Sequence, residues 1–143
     1  MTVSAAFIEL IFPYNQRNTF RTVYIDGRPY PPEDKWEGRW YGHSVGRWDG
    51  DTLVIDSVDF TDASWLGWPG WIHGYNMRVE ERITRDGNTL RWQATVYDPD
   101  ALLKPWTMNP VVRRFNPDPN AELPEDLPCS ERDSREIVTK ERG

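Results

Sequence analysis

The groups from which a catalytic site could be built are Tyr41, His43, Asp56, His73 and Glu81. A His with a carboxylate partner is the minimal unit of general acid–base chemistry, because the carboxylate fixes the tautomer and raises the basicity of the ring. His43 and Asp56 meet that requirement if Trp40–Phe60 folds as one hairpin. Asp49-Gly50 then forms the turn, since a two-residue type I′ loop needs positive φ at both central positions and Asp-Gly supplies it. Counting outward sets Arg47 opposite Thr52, Val45 opposite Val54, His43 opposite Asp56 and Tyr41 opposite Val58, all on one apolar face with Phe60. Tyr41 on that face would polarise a substrate or stabilise an oxyanion.

Glu81 falls on the apolar face of a second hairpin, Asn76–Asp98, turning at Asp86-Gly87. That face holds Met77, Val79, Ile83, Leu90, Trp92, Ala94 and Val96. A carboxyl there has a raised pKa from desolvation unless Arg21 or a His pairs with it. It is a proton donor or base in the first case and part of a buried ion pair in the second. His73 sits in the segment Thr61–Tyr75, where Trp65, Trp68 and Trp71 lie among glycines and a proline. A loop this apolar must bury itself, and a lid over a cavity mouth is one way to do so. With Trp92, Tyr24 and Arg21, these tryptophans are the candidate ligand contacts. No HxH, HxxxH or CxxC spacing supports a metal site, and neither a Gly-rich phosphate loop nor a GxSxG elbow is present. The expectation is therefore no cofactor.

These residues need strands to hold them. Ala6–Tyr14 suits a short strand that Pro13 ends or confines to a sheet edge. In Phe20–Ile25, Arg21, Val23 and Ile25 alternate with Phe20, Thr22 and Tyr24. Arg28–Glu37 holds three prolines and is expected to be an ordered, non-helical loop. Trp106–Phe115 is a further strand weakened by Pro110. Short strands with regular turn signals and no long helix predict an all-β single domain over 1–143. The expected form is an antiparallel meander closing into a small calycin- or lipocalin-like β-barrel of about seven or eight strands, with the aromatic loop at its mouth. Residues 116–143 are expected to form an extended or partly helical tail.

Composition narrows the partners. The net charge of −6 argues against nucleic acid and against an anionic membrane surface. No run approaches the ~20 apolar residues of a membrane span. The 8 tryptophans concentrate the apolar content in large rings, which suit an apolar or aromatic small-molecule partner. A homodimer is compatible with all of this. Cys129 is the single cysteine, so no internal disulfide forms. With no leader visible after Met1, the expected location is the cytoplasm.

The runs Arg21-Thr22-Val23-Tyr24-Ile25-Asp26-Gly27-Arg28-Pro29 and Trp40–Asp56, with Val79-Glu80-Glu81-Arg82, Asp98-Pro99 and Lys104-Pro105-Trp106, resemble a widespread bacterial family. Its members carry the pattern YxDGRP, WxGxSxGxWxGDTLVV, TERF and DP…KPW. The resemblance covers roughly Phe12 to Cys129 and brings no established activity with it. Relatives in that family look secreted, and they show a Gly-His-Pro-His segment where this chain has Trp65–Gly74 and the single His73. The resemblance thus implies a more apolar ligand here.

The leading expectation is a cofactor-independent enzyme acting on an apolar or aromatic, polyketide- or terpenoid-like molecule by proton transfer, as an isomerase, cyclase, dehydratase or lyase. His43 would be the acid/base and Asp56 would orient it. A non-catalytic barrel carrying a lipid or pigment is the first alternative. An interaction domain using the tryptophan loop is the second.

Overall fold

The computed structural model describes residues 6–14, 17–67 and 70–121, with the backbone alone for 11–14 and 17–19. Trp68, Cys129 and the tail beyond Ala121 lie outside the described residues. Asn116–Ala121 runs exposed, with a turn at Pro119-Asn120.

Eight strands form one sheet: β1 (Phe7–Tyr14), β2 (Arg17–Tyr24), β3 (His43–Asp49), β4 (Thr52–Val58), β5 (Arg78–Asp86), β6 (Thr89–Tyr97), β7 (Trp106–Thr107) and β8 (Val111–Arg114). They follow one another across the sheet in sequence order as far as β7, and β8 also pairs with β6. Met108–Pro110 splits β7 from β8, as the missing donor of Pro110 requires. Pro13 lies on the edge strand β1. Among the described residues, helix is limited to a 3₁₀ turn at Glu33–Lys35 in the proline-rich loop. The fold is all-β, and the sheet curls into an open half-barrel. Among the described residues β1 and β7 do not pair with each other.

One pairing departs from the antiparallel meander. β2 and β3 are parallel, joined only at Val23↔Ser44 and Tyr24↔Val45. The connection from Ile25 to Gly42 is long enough to carry the chain back across the sheet end, as a parallel pair demands. No tight turn replaces it.

Both hairpin registers shift by two residues from the expected ones. Asp49 pairs with Thr52 and Asp86 with Thr89, so the loops are Gly50-Asp51 and Gly87-Asn88. Gly50 and Gly87 have φ of 58° and 54°, whereas Asp51 and Asn88 are not left-handed. Positive φ at the first loop position alone is the type II′ pattern, not I′. Asp therefore ends the strand in each case. A shift of two keeps every side chain on its face but changes its neighbour. His43 faces Val58, and Asp56 faces Val45.

The concave face carries the main core. Val23, Leu53 and Ile55 are buried there, packed by Ile8, Leu10, Ile25 and Ile83. Phe60, Met77 and Val96 form a second cluster with Leu66, Val79 and Leu102. Phe60 thus leaves the face of Val54 and Val58. Asp59 causes the switch: its φ of 64° breaks the strand alternation after β4. The convex face of β4 is buried as well. Val54 and Val58 are covered there, and the loop after β2 folds over the same face, bringing Tyr30 edge-on to His43 at 6.3 Å between ring centres.

Candidate functional site

A groove of about 760 Å³ opens at the end of the sheet where β2 runs past the start of β3. Only the last two residues of β2 pair with β3, so Phe20–Thr22 and the segment Arg39–Gly42 stand apart as two walls. Phe20, Trp40, Tyr41 and Trp65 rim this groove and are all solvent-exposed. Clustered exposed rings of this kind mark ligand or partner sites more often than chance surface.

His43 lies in the groove wall. Its ring stacks on Tyr24 at 5.5 Å and 25°. Its Nε2 is buried and has no hydrogen-bond partner among the described residues. Burial holds the His43 pKa below its ordinary value, and the Arg39 guanidinium pushes the same way against a weaker opposing pull from Asp59. The ring is therefore neutral at pH 7 and can donate or accept.

Asp56 does not orient it. Arg78 takes both Asp56 carboxylate oxygens in a bidentate pair, with Nε–Oδ1 and Nη2–Oδ2 each 2.7 Å. The expected His43–Asp56 dyad is absent because the loop residues differ and the register moves with them. Asp56 instead lies beside Tyr30, whose hydroxyl is pushed well above its ordinary pKa by burial and then by this carboxylate.

Glu81 has the second of its two anticipated fates. Arg21 from β2 reaches it at 2.6 Å, and the Trp92 indole N–H donates to its other oxygen at 3.0 Å. The pair lies under the groove, since Arg21 also lines the groove floor beside Ser44. Ser44 and Ser57 share a buried hydroxyl contact of 2.8 Å.

Among its described residues the tryptophan loop is neither strand nor helix. It makes a tight turn, with Leu66 N–H donating to Trp71 C=O at 2.8 Å and Gly67 bridged to Trp71. The turn brings Ser64 to His73. Ser64 Oγ and His73 Nε2 are 2.8 Å apart, and Nδ1 donates to the Gly74 carbonyl at 3.0 Å. A carbonyl only accepts, so Nδ1 carries the hydrogen. The Ser64 hydroxyl also donates to Thr61 C=O at 3.1 Å, so it must turn from that carbonyl for the Nε2 of a neutral ring to accept from it. His73 is buried, whereas Ser64 forms part of the groove wall. Trp65 lines the groove, but Trp71 turns away and packs edge-on against Trp106 at 5.9 Å.

Of the expected site residues, Tyr41, His43, Arg21, Tyr24 and Trp65 therefore meet at one groove. Glu81 and Trp92 support it from below, His73 stands behind its wall, and Asp56 and Trp71 lie elsewhere. Sequence reasoning missed Ser64, Arg39 and Asp59. Ser64 is nine residues from His73 across a Gly- and Pro-rich stretch, and a tight turn there is the signal that would have paired them. Asp59 is fully buried, accepts from Gly38 N–H at 2.8 Å and lies 3.6 Å from Arg39. An Asp interrupting the apolar run Val58–Phe60 is its signal, because Asp tolerates left-handed backbone.

Among the described residues, no set of three His, Cys, Asp or Glu side chains could hold a metal ion, and no helix is long and apolar enough to cross a membrane. Comparison with models of protein families, with curated proteins and with solved structures finds no match to the chain.

Proposed function

We propose that this chain binds a flat, apolar or aromatic small molecule that carries one hydrogen-bonding group. The supporting observations are a groove rimmed by Phe20, Trp40, Tyr41 and Trp65 with His43 in its wall, and the Nε2 of that ring, buried without a hydrogen-bond partner among the described residues. A buried polar nitrogen without a partner costs about 1–3 kcal/mol, and a ligand hydroxyl or carbonyl opposite it would recover that. The groove volume falls within the ~300–1,000 Å³ of small-molecule sites. Arg21 is neutralised by Glu81, and Arg39 lies near Asp59 and Glu37, so the groove favours a neutral ligand. On this reading the half-barrel works as a calycin-like cup, with the Trp65 loop at its mouth. Proton-transfer catalysis by His43 is the weaker reading, because Arg78 holds the carboxylate that would orient the ring.

Tryptophan fluorescence titration with 2-naphthol and with naphthalene tests the proposal. The expected result is saturable binding of both, tighter for 2-naphthol, with His43→Phe erasing the difference. Equal affinities in the unmodified protein, or no saturable binding, would overturn it.

A further inference from the structure

We infer that Ser64 and His73 form a nucleophile–base pair and that the groove hydrolyses aryl esters of short carboxylic acids. The inference rests on the groove being the ligand site, and it adds a reaction to it. The required parts are a hydroxyl facing the substrate, a base in contact with it, and a group that fixes the base. Ser64 lines the groove, and its hydroxyl lies 2.8 Å from His73 Nε2. Gly74 C=O holds Nδ1–H at 3.0 Å, which leaves the Nε2 lone pair directed at Ser64.

Gly74 is itself pinned. Its N–H donates to the buried Asp98 carboxylate at 2.7 Å, and a Cβ on it would come within 2.6 Å of Asp100. Asp98 thus acts as a positioning residue through the backbone, in the place where a carboxylate acts directly in other serine–histidine sites. The rim rings take the neutral aryl group, and the Arg39 guanidinium, held only loosely by Asp59 and Glu37 at 3.6 and 3.7 Å, turns to the oxyanion that develops in the transition state.

The reaction runs in two balanced halves. Ser64 Oγ attacks the ester carbonyl carbon, and its proton passes to His73 Nε2. The tetrahedral intermediate expels the aryloxide, which takes the proton from Nε2 and leaves as the phenol. Water, the second substrate, then attacks the acyl-Ser64 carbonyl and gives its proton to Nε2. Collapse releases the carboxylic acid and returns the proton to Ser64.

The test uses the full chain with 2-naphthyl acetate, following 2-naphthol release by fluorescence and the acetyl adduct by intact and peptide mass spectrometry. The expected result is an acetyl group on Ser64 and a rate at least tenfold above Ser64→Ala. That variant removes one oxygen and none of the rings that rim the groove. An unchanged rate in Ser64→Ala, or an adduct on another residue, would overturn the inference. Binding of 2-naphthol without any adduct would overturn the inference and leave the binding proposal standing. An adduct on Ser64 without 2-naphthol binding would uphold the pair and overturn the binding proposal.

Discussion

Arg21 and Glu81 meet at 2.6 Å although two strands, β3 and β4, separate the strands that carry them. A flat sheet would hold β2 and β5 about 14 Å apart, at ~4.8 Å per strand spacing. The two long side chains reach toward each other along the concave face and tie β2 to β5 across that gap. Both side chains are nearly buried, at 11% and 4% exposure. Removing one partner leaves the other charge buried alone. Glu81→Ala is expected to cost about 3–5 kcal/mol in urea unfolding, and the double change Arg21→Met with Glu81→Leu clearly less.

Asp59 is the second place where a buried carboxylate shapes the groove. It holds left-handed backbone and accepts from Gly38 N–H, which fixes the approach of Arg39–Gly42. Asp59→Ala is expected to destabilise by about 2–3 kcal/mol, from an unpaired, part-buried Gly38 N–H and a backbone conformation that alanine resists. Asp59→Asn keeps an acceptor and tolerates the same φ, so its cost should stay under about 1 kcal/mol. Thermal unfolding of the two variants checks the order.

The faces of the second hairpin were legible in the sequence, because period-2 alternation survives any even register shift. Val79, Glu81, Ile83, Trp92, Ala94 and Val96 share the concave side as their spacing predicts. In the first hairpin, by contrast, the main core of Leu53 and Ile55 lies on the face opposite His43, Val45, Asp56 and Val58, the side expected to point inward. The pairing of individual residues was not legible. Asp-Gly satisfies a type I′ loop and also the end of a strand before a type II′ loop, and the local residues do not distinguish the two. His43 and Asp56 lost each other to that ambiguity, whereas Arg21 and Glu81, joined by a long reach and opposite charge, did not depend on it. The parallel step from β2 to β3 was hidden for another reason. A proline-rich loop shows where a strand stops but not on which side the chain returns.

Two glycines in the first hairpin region separate backbone conformation from space. Gly50 has φ 58°, and nothing lies within 4 Å of an added Cβ. Gly50→Ala should cost only the left-handed backbone, about 1–2 kcal/mol. At Gly42, with φ 67°, an added Cβ would meet the Val58 carbonyl at 2.6 Å and the Phe60 ring at 2.9 Å. Gly42→Ala should cost about 3 kcal/mol or more, and it should weaken 2-naphthol binding because Gly42 borders His43. Parallel unfolding curves for the two variants test this contrast.

The depressed pKa of His43 gives stability a signed pH dependence. Below the unfolded-chain value of about 6.5, the unfolded state takes up a proton that the folded ring resists. The His43 contribution is therefore complete above that pH and falls away as pH drops toward the lower folded-state value. His43→Phe should remove this component. Subtracting the variant's unfolding free energies from those of the unmodified protein across this pH range should leave a difference that declines with acidification. A difference that grows with acidification would mean that the folded protein favours the imidazolium.

The groove claim is tested most directly by ¹⁵N NMR of the indole and imidazole nitrogens during titration with 2-naphthol. Trp40 and Trp65 rim the groove, His43 lines its wall, and Trp48 lies at the far hairpin end of β3. The predicted result is saturable shifts at His43 Nε2 and at the Trp40 and Trp65 indoles, with Trp48 unmoved. Shifts at Trp48 as large as these, or none at His43 at millimolar probe, would contradict the assignment of the groove as a ligand site.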